Sequence, residues 1–395
     1  MNKIFKILLF LVIIIIVGTV LFGKKSEPTK PTTPQPDSLT DPPKSYLKSR
    51  TTDTPLRTLA DKKNLYVGAA VIAPLVMTEY GGCNKEPLYC QTLGREYNMV
   101  VAENAMKFDT IHPKRGAYDF SQADAIVSFA QTHNMKVRGH ALVTNGKAPP
   151  NGQVPAWVVN GGFTGEQLRD ILHDHINTVV SHFKNNFPGT VVEWDVVNEA
   201  SQGLGVWEQI GTIDQVTEMA FNWAREADPS AKLYYNDDYG SEDYYNDKFK
   251  WVYNFVVSLK KKGVPIDGVG LQSHFQLPDA PKSVFDFTKA PSLSSLEAVL
   301  TQYANANLEV KFTELDVRLN DNTTASLNAQ ADVYGTVMTA CLHISSCKGV
   351  LTWGFTDKYS WIPLFFQDLG HALPFDFNYN PKSSYFAMQN ALKTP

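Results

Sequence analysis

The chain has 395 residues, with 36 Lys+Arg against 40 Asp+Glu and a formal net charge of −4. A composition 43% hydrophobic and 19% charged excludes a wholly disordered or collagen-like chain, and the near-neutral balance argues against a nucleic-acid partner held by counterion release. That balance averages two unlike parts: residues 1–63 hold 11 Lys+Arg and 5 Asp+Glu, the remainder 25 and 35.

Residues 1–23 read as a signal peptide or signal anchor, since Lys3 and Lys6 precede 17 uncharged residues, 7–23. Leu21-Phe22-Gly23-Lys24-Lys25 offers no small-x-small cleavage site, which favours an uncleaved membrane tether through residues 7–23. Residues 24–57 form a Pro/Thr/Ser/Lys-rich linker; Pro28, Pro31, Pro34, Pro36, Pro42, Pro43 and Pro55 would keep it extended. The expected location is therefore secreted or extracellular, with a catalytic body of residues 58–395 held off a membrane or wall, and that body is expected to be a monomer. Export makes two disulfides plausible from the sequence-local pairs Cys83/Cys90 and Cys341/Cys347. Metal binding is the rival, but six and five residues intervene and no His sits at ligand spacing.

From Leu59 onward eight short, β-rich apolar runs recur: 66–71, 99–102, 136–142, 191–197, 232–235, 269–271, 310–312 and 350–353. Helical stretches separate most of them. Thr164-x-x-Gln167 is a capping box ahead of an amphipathic helix, and residues 213–228, 247–263, 295–307 and 325–345 are similar, with Gly263 a stop signal. Eight alternating units predict an α/β fold of the (β/α)8 TIM-barrel type, a single catalytic domain behind the leader and linker. A doubly wound sheet would need a Gly-rich loop after its first strand, and Gly68-Ala69-Ala70 is not one.

In a barrel, catalytic groups lie at the C-terminal ends of strands. Those ends carry Glu103-Asn104-x-x-Lys107, Arg138-Gly139-His140, Asn198-Glu199, Asn236-Asp237, Gln272-x-His274, Glu314-x-Asp316 and Trp353. Glu199 and Glu314 follow the fourth and seventh strands, across the barrel mouth. Such a pair can divide the acid and nucleophile roles of glycoside hydrolysis, a reaction that needs neither metal nor organic cofactor. Asn198 could reach a sugar hydroxyl, while His274 and Asp316 could orient Glu314. His140 stands open between ligand and satisfied core histidine, and Lys107 between surface charge and a partner of Glu103. Trp353 and Trp361 suit sugar stacking or core packing. His173-Asp174-His175 resembles a metal motif, but i and i+2 diverge on a helix, so it reads as a solvent face.

The motifs around Trp194–Ala200, Thr313–Asp316, Glu103–Lys107, Arg138–His140, Gly270–Phe275 and Trp353–Asp357 resemble glycoside hydrolase family 10, the endo-β-1,4-xylanases. The resemblance runs in order from Leu59 to the C-terminus. It implies retaining endo-hydrolysis of xylan or a related polysaccharide, with Glu199 as acid/base and Glu314 as nucleophile. It implies also that Glu103, Asn104 and Lys107 bind glycone sugars, and that His140, Asn198 and Gln272 surround the sugar being cleaved. His274 and Asp316 would support Glu314, and Trp353 and Trp361 would be cleft tryptophans. The pair Cys341–Cys347 resembles the family's disulfide before the eighth strand; Cys83–Cys90 matches no family feature. The chain departs from the family pattern at Thr144-Asn145, where a Trp-His pair is usual, and in the insertion through Lys147, Pro149 and Pro150. Ala102 and Phe108 stand where the family has Pro and Trp, and Asn236-Asp237-Asp238-Tyr239 carries an extra Asp. The altered loop leaves a related β-glycan or aryl β-glycoside as an alternative substrate, and a non-catalytic carbohydrate-binding barrel as a lesser one.

Overall fold

A computed structural model describes residues 54–238, 240–277 and 290–394. The leader, the linker up to residue 53 and Tyr239 lie outside the described residues. The body begins with helix α1 (Leu56–Lys62), two residues ahead of the expected start at 58. Eight strands follow: β1 (Tyr66–Val71), β2 (Met99–Ala102), β3 (Lys136–Val143), β4 (Val191–Asn198), β5 (Lys232–Asp237), β6 (Gly268–Leu271), β7 (Glu309–Arg318) and β8 (Cys347–Thr352). Every pairing is parallel; β6 joins β7 and β8 joins β1, so the sheet closes into a barrel. A further three-residue strand, His274–Gln276, adds to the outer end of β7.

Several strands run past their expected ends. The largest difference is β7, expected over 310–312 and observed to Arg318, so Glu314 and Asp316 sit within the strand. Alternation explains it: residues two apart share a side, and the polar residues of Thr313–Arg318 are buried in the barrel mouth, not solvated at a turn.

The helices carry the local signals that start and stop them. Thr164 and Thr212 each close a full capping box, with Gln167 and Gln215, ahead of α4 (Gly165–Asn186) and α5 (Ile213–Ala227). Helix α6 (Asp247–Lys261) ends at Gly263, φ 92°, with Val264 N–H bonding Leu259 O and Gly263 N–H bonding Lys260 O, which is a Schellman stop. Ser292 and Thr323 cap α7 (Leu293–Asn305) and α8 (Thr324–His343). Both cysteine pairs are disulfides: Cys83–Cys90 ties the loop after β1 to helix α2 (Pro87–Glu96), and Cys341–Cys347 ties the end of α8 to β8.

The lower barrel interior is charged. Arg138 lies between Asp195 and Glu193, the latter also paired with Lys311, and all four are buried. Two cations face two anions, so the desolvated charges balance. Gly139 sits beside this cluster because Trp194 packs over it; a Cβ there would come within 2.1 Å of the indole.

The solvent-face reading of His173-Asp174-His175 holds for the first two residues only. His175 is fully buried and stacks on Phe108 at 3.6 Å between ring centroids. The reason is helical phase: His175 follows Leu172 by three and precedes Val179 by four, on the face α4 turns to the core.

Candidate active site

The barrel mouth gathers polar side chains from six strands, starting with the two glutamates. Glu199 directly follows β4 in a left-handed conformation, φ 60°. Gln272, just past β6, donates from Nε2 to Glu199 Oε1 at 2.8 Å and to Asn198 Oδ1 at 3.2 Å. Asn236 on β5 donates from Nδ2 to the same Asn198 oxygen and to Glu314 Oε1, both at 2.8 Å. The Thr313 hydroxyl donates to Asn236 Oδ1 at 2.7 Å and so fixes the direction of that amide. A continuous chain of amides therefore joins the two carboxylates.

The far side of Glu314 is bound by His274, Nε2 to Oε2 at 3.2 Å, and His274 Nδ1 meets Asp316 Oδ2 at 2.8 Å. Trp361 Nε1–H donates to the same Asp316 oxygen at 2.9 Å. Burial alone would lower the imidazole, but the two carboxylates, Asp316 foremost, lift it to about 10. His274 is thus a cation that donates from both nitrogens.

Glu199 sits in a contrasting environment. Burial raises its carboxyl, opposed by the Gln272 hydrogen bond, and the charges of Asp237 and Glu314 raise it further. Burial likewise raises Glu103 and lowers Lys107. Lys107 Nζ donates to Asn104 Oδ1 at 2.9 Å, and Asn104 Nδ2 to Glu103 Oε1 at 3.3 Å, so these three form one group after β2. Phe108, next in sequence, anchors that loop by its stack on His175. His140 holds Asp195 through Nδ1 at 3.0 Å, and Arg138 holds the same carboxylate. Against burial, Arg138 and then His140 keep Asp195 below its usual range. Trp353 packs edge-on to His140, 5.2 Å between centroids, and Lys107 Nζ lies 6.0 Å from its ring centre. Trp361 lies 5.2 Å from His274.

The residues given roles at the mouth lie in or beside it: Glu103, Asn104, Lys107, His140, Asn198, Glu199, Gln272, His274, Glu314, Asp316, Trp353 and Trp361; Arg138, at the same strand end as His140, is instead buried in the ion cluster below. The structure adds Asn236 and Thr313, which join the two carboxylates through their hydrogen bonds. Gly270 on β6 leaves room for that amide: a Cβ there would meet Asn236 Oδ1 at 2.1 Å. The extra acid, Asp238, is buried and lies 3.4 Å from Gln202 Nε2, which reaches Glu199 Oε2 at the same distance. Lys248 pairs with Asp237 at 3.0 Å and with Asp238 at 3.4 Å. At the departure after β3, Thr144 is buried with its hydroxyl unbonded, and Gly146 O accepts from Val206 N–H of the loop after β4.

Comparison with known proteins agrees with this geometry. The family model for glycosyl hydrolase family 10 matches residues 55–391. Endo-1,4-beta-xylanase B of Thermotoga neapolitana is 38% identical over 349 residues, 86% of this chain and 92% of the relative. The crystal structure of native xylanase 10B from Thermotoga maritima superposes with a TM-score of 0.75 at 40% identity, covering 86% of this chain and 98% of that one. Xylanase 10B from Thermotoga petrophila, solved in complex with xylobiose, matches with the same TM-score at 39% identity, covering 87% and 98%. This chain belongs to glycosyl hydrolase family 10.

Proposed function

We propose that the protein is a retaining endo-β-1,4-xylanase that works by double displacement, with Glu314 as nucleophile and Glu199 as acid/base. The observation that carries this reading is the unequal setting of the two linked carboxylates. Glu314 accepts from Asn236 and from a cationic His274, and these two bonds hold its carboxylate in place for attack. Glu199 is raised by burial and by nearby negative charge, which favours its protonated form. In the first step a Glu314 oxygen bonds to the anomeric carbon, the glycosidic C–O bond breaks, and the departing oxygen takes the Glu199 proton. In the second, water gives a proton to Glu199, its oxygen bonds to the same carbon, and the ester to Glu314 breaks. Two inversions retain configuration.

Glu103, Asn104 and Lys107 are assigned to the glycone sugars. His140, Asn198 and Gln272 surround the sugar being cleaved, with Trp353 and Trp361 as stacking faces. The basic leader is assigned to tethering a secreted enzyme, and retention of full-length protein in a washed membrane fraction tests that.

Reducing-sugar release from xylan by the wild type and by Glu314→Ala tests the activity. Turnover is expected from the wild type alone; binding without turnover by both leaves only a carbohydrate-binding barrel. Running β-glucan and carboxymethylcellulose alongside tests the substrate, and faster cleavage of either overturns xylan as the preferred one.

A further inference from the structure

The loop after β8 carries an apolar pair that the reaction leaves unused. Trp361, tied to Asp316, opens the short helix Ile362–Phe365. Ile362 and Phe366 are buried with Leu369, Ala372 and Leu373 in a small satellite core, and Trp361 packs on it. Residues four apart share a helical face, so fixing Ile362 and Phe366 inward turns the residues between them outward. Leu364 is 68% exposed and Phe365 54%.

A single exposed apolar side chain is ordinary, but this pair continues a surface already in the site. The Phe365 ring lies 5.6 Å from that of Trp361 at 56°, a spacing comparable to one sugar unit of a β-1,4 chain. Trp361 in turn lies 5.2 Å from His274, which bonds Glu314. The platform is also pinned: Leu319 and Gly370 exchange backbone hydrogen bonds at 3.0 and 2.9 Å, and Leu373 N–H reaches Asp357 Oδ1 at 2.9 Å.

We propose that Phe365, backed by Leu364, is a stacking platform for an outer sugar of a β-1,4-linked pentosan chain lying in the cleft. The site then grips one sugar more at this edge than Trp353 and Trp361 reach. A pyranose without a hydroxymethyl group presents flat C–H faces, which suit an aromatic ring. This inference rests on the glycanase reading above, yet its test does not require turnover.

The test measures xylobiose and xylohexaose binding by calorimetry in the full-length chain silenced by Glu314→Gln, with and without Phe365→Ala. The expected result is a xylohexaose affinity about three- to tenfold weaker with xylobiose unchanged, and recovery with Phe365→Trp. An unchanged xylohexaose affinity, or equal losses for both sugars, overturns the proposal. So does a wild-type dimer on gel filtration that Phe365→Ala converts to monomer, since the patch would then belong to a second copy. Absence of turnover by the wild type on xylan counts against the glycanase reading and leaves these binding outcomes interpretable.

Discussion

Gln272→Leu tests how the acid/base is tuned. Gln272 Nε2 donates to Glu199 Oε1 at 2.8 Å, and this bond opposes the burial that raises Glu199. Leucine keeps similar volume and removes the donor, while Asn198 keeps its bond from Asn236 at 2.8 Å. A hydrogen bond to an ionised acceptor contributes about 1.5–3 kcal/mol. At about 1.4 kcal/mol per pH unit, losing it favours the protonated form by roughly one to two pH units. The acid must be protonated for glycosylation, so its ionisation sets the alkaline limb of kcat/KM. That limb should move to higher pH by about one to two units in Gln272→Leu, measured on a xylo-oligosaccharide across pH 5 to 10. An unmoved limb, or a shift to lower pH, refutes both the assignment of Glu199 and the role of Gln272.

Acid stability follows from His175. Burial holds its imidazole well below the usual range, so it stays neutral in the fold while the unfolded chain gains a proton below about pH 6.5. The unfolded state then binds more protons, and stability falls as pH falls, by about 1.4 kcal/mol per pH unit for this residue. Urea denaturation at pH 8, 6.5 and 5 should show a flatter acid slope for His175→Leu; parallel slopes contradict it. Trp361→Phe keeps a ring but deletes the 2.9 Å bond to Asp316, and kcat/KM should fall between severalfold and about a hundredfold; full activity contradicts the orienting role. Replacing Cys341 and Cys347 by Ala together should cost about 2 kcal/mol, as expected for so short a loop, without moving either limb of the pH profile. A displaced limb would tie the disulfide to the site.

Most of the site residues were legible because they lie at or close to the C-terminal part of a strand, where a run of apolar residues gives way to a polar group. The extent of β7 was less so, since Glu314–Arg318 alternates charged and apolar residues that are all buried, and the polar pair Thr313-Glu314 after Phe312 resembles a strand end. His175 shows a different failure. The apolar period through Leu172, Ile176 and Val179 already places it on the core face, and only its polar side chain reads as solvent-facing. Asn236 was seen at its strand end and given no part, because its role arises from three strands meeting: Asn198 on β4, Glu314 on β7 and Gly270 on β6. Contacts between strands distant in sequence leave no local pattern.

The proposed double displacement requires Glu314 to attack the sugar while Glu199 handles protons. An activated 2-deoxy-2-fluoro xylobioside slows release of the covalent intermediate, and peptide mapping by mass spectrometry then locates the label. One fluoro-xylobiosyl group is expected on Glu314 and none in Glu314→Gln. A label on Glu199, or an enzyme that turns over xylan yet traps no sugar, contradicts it.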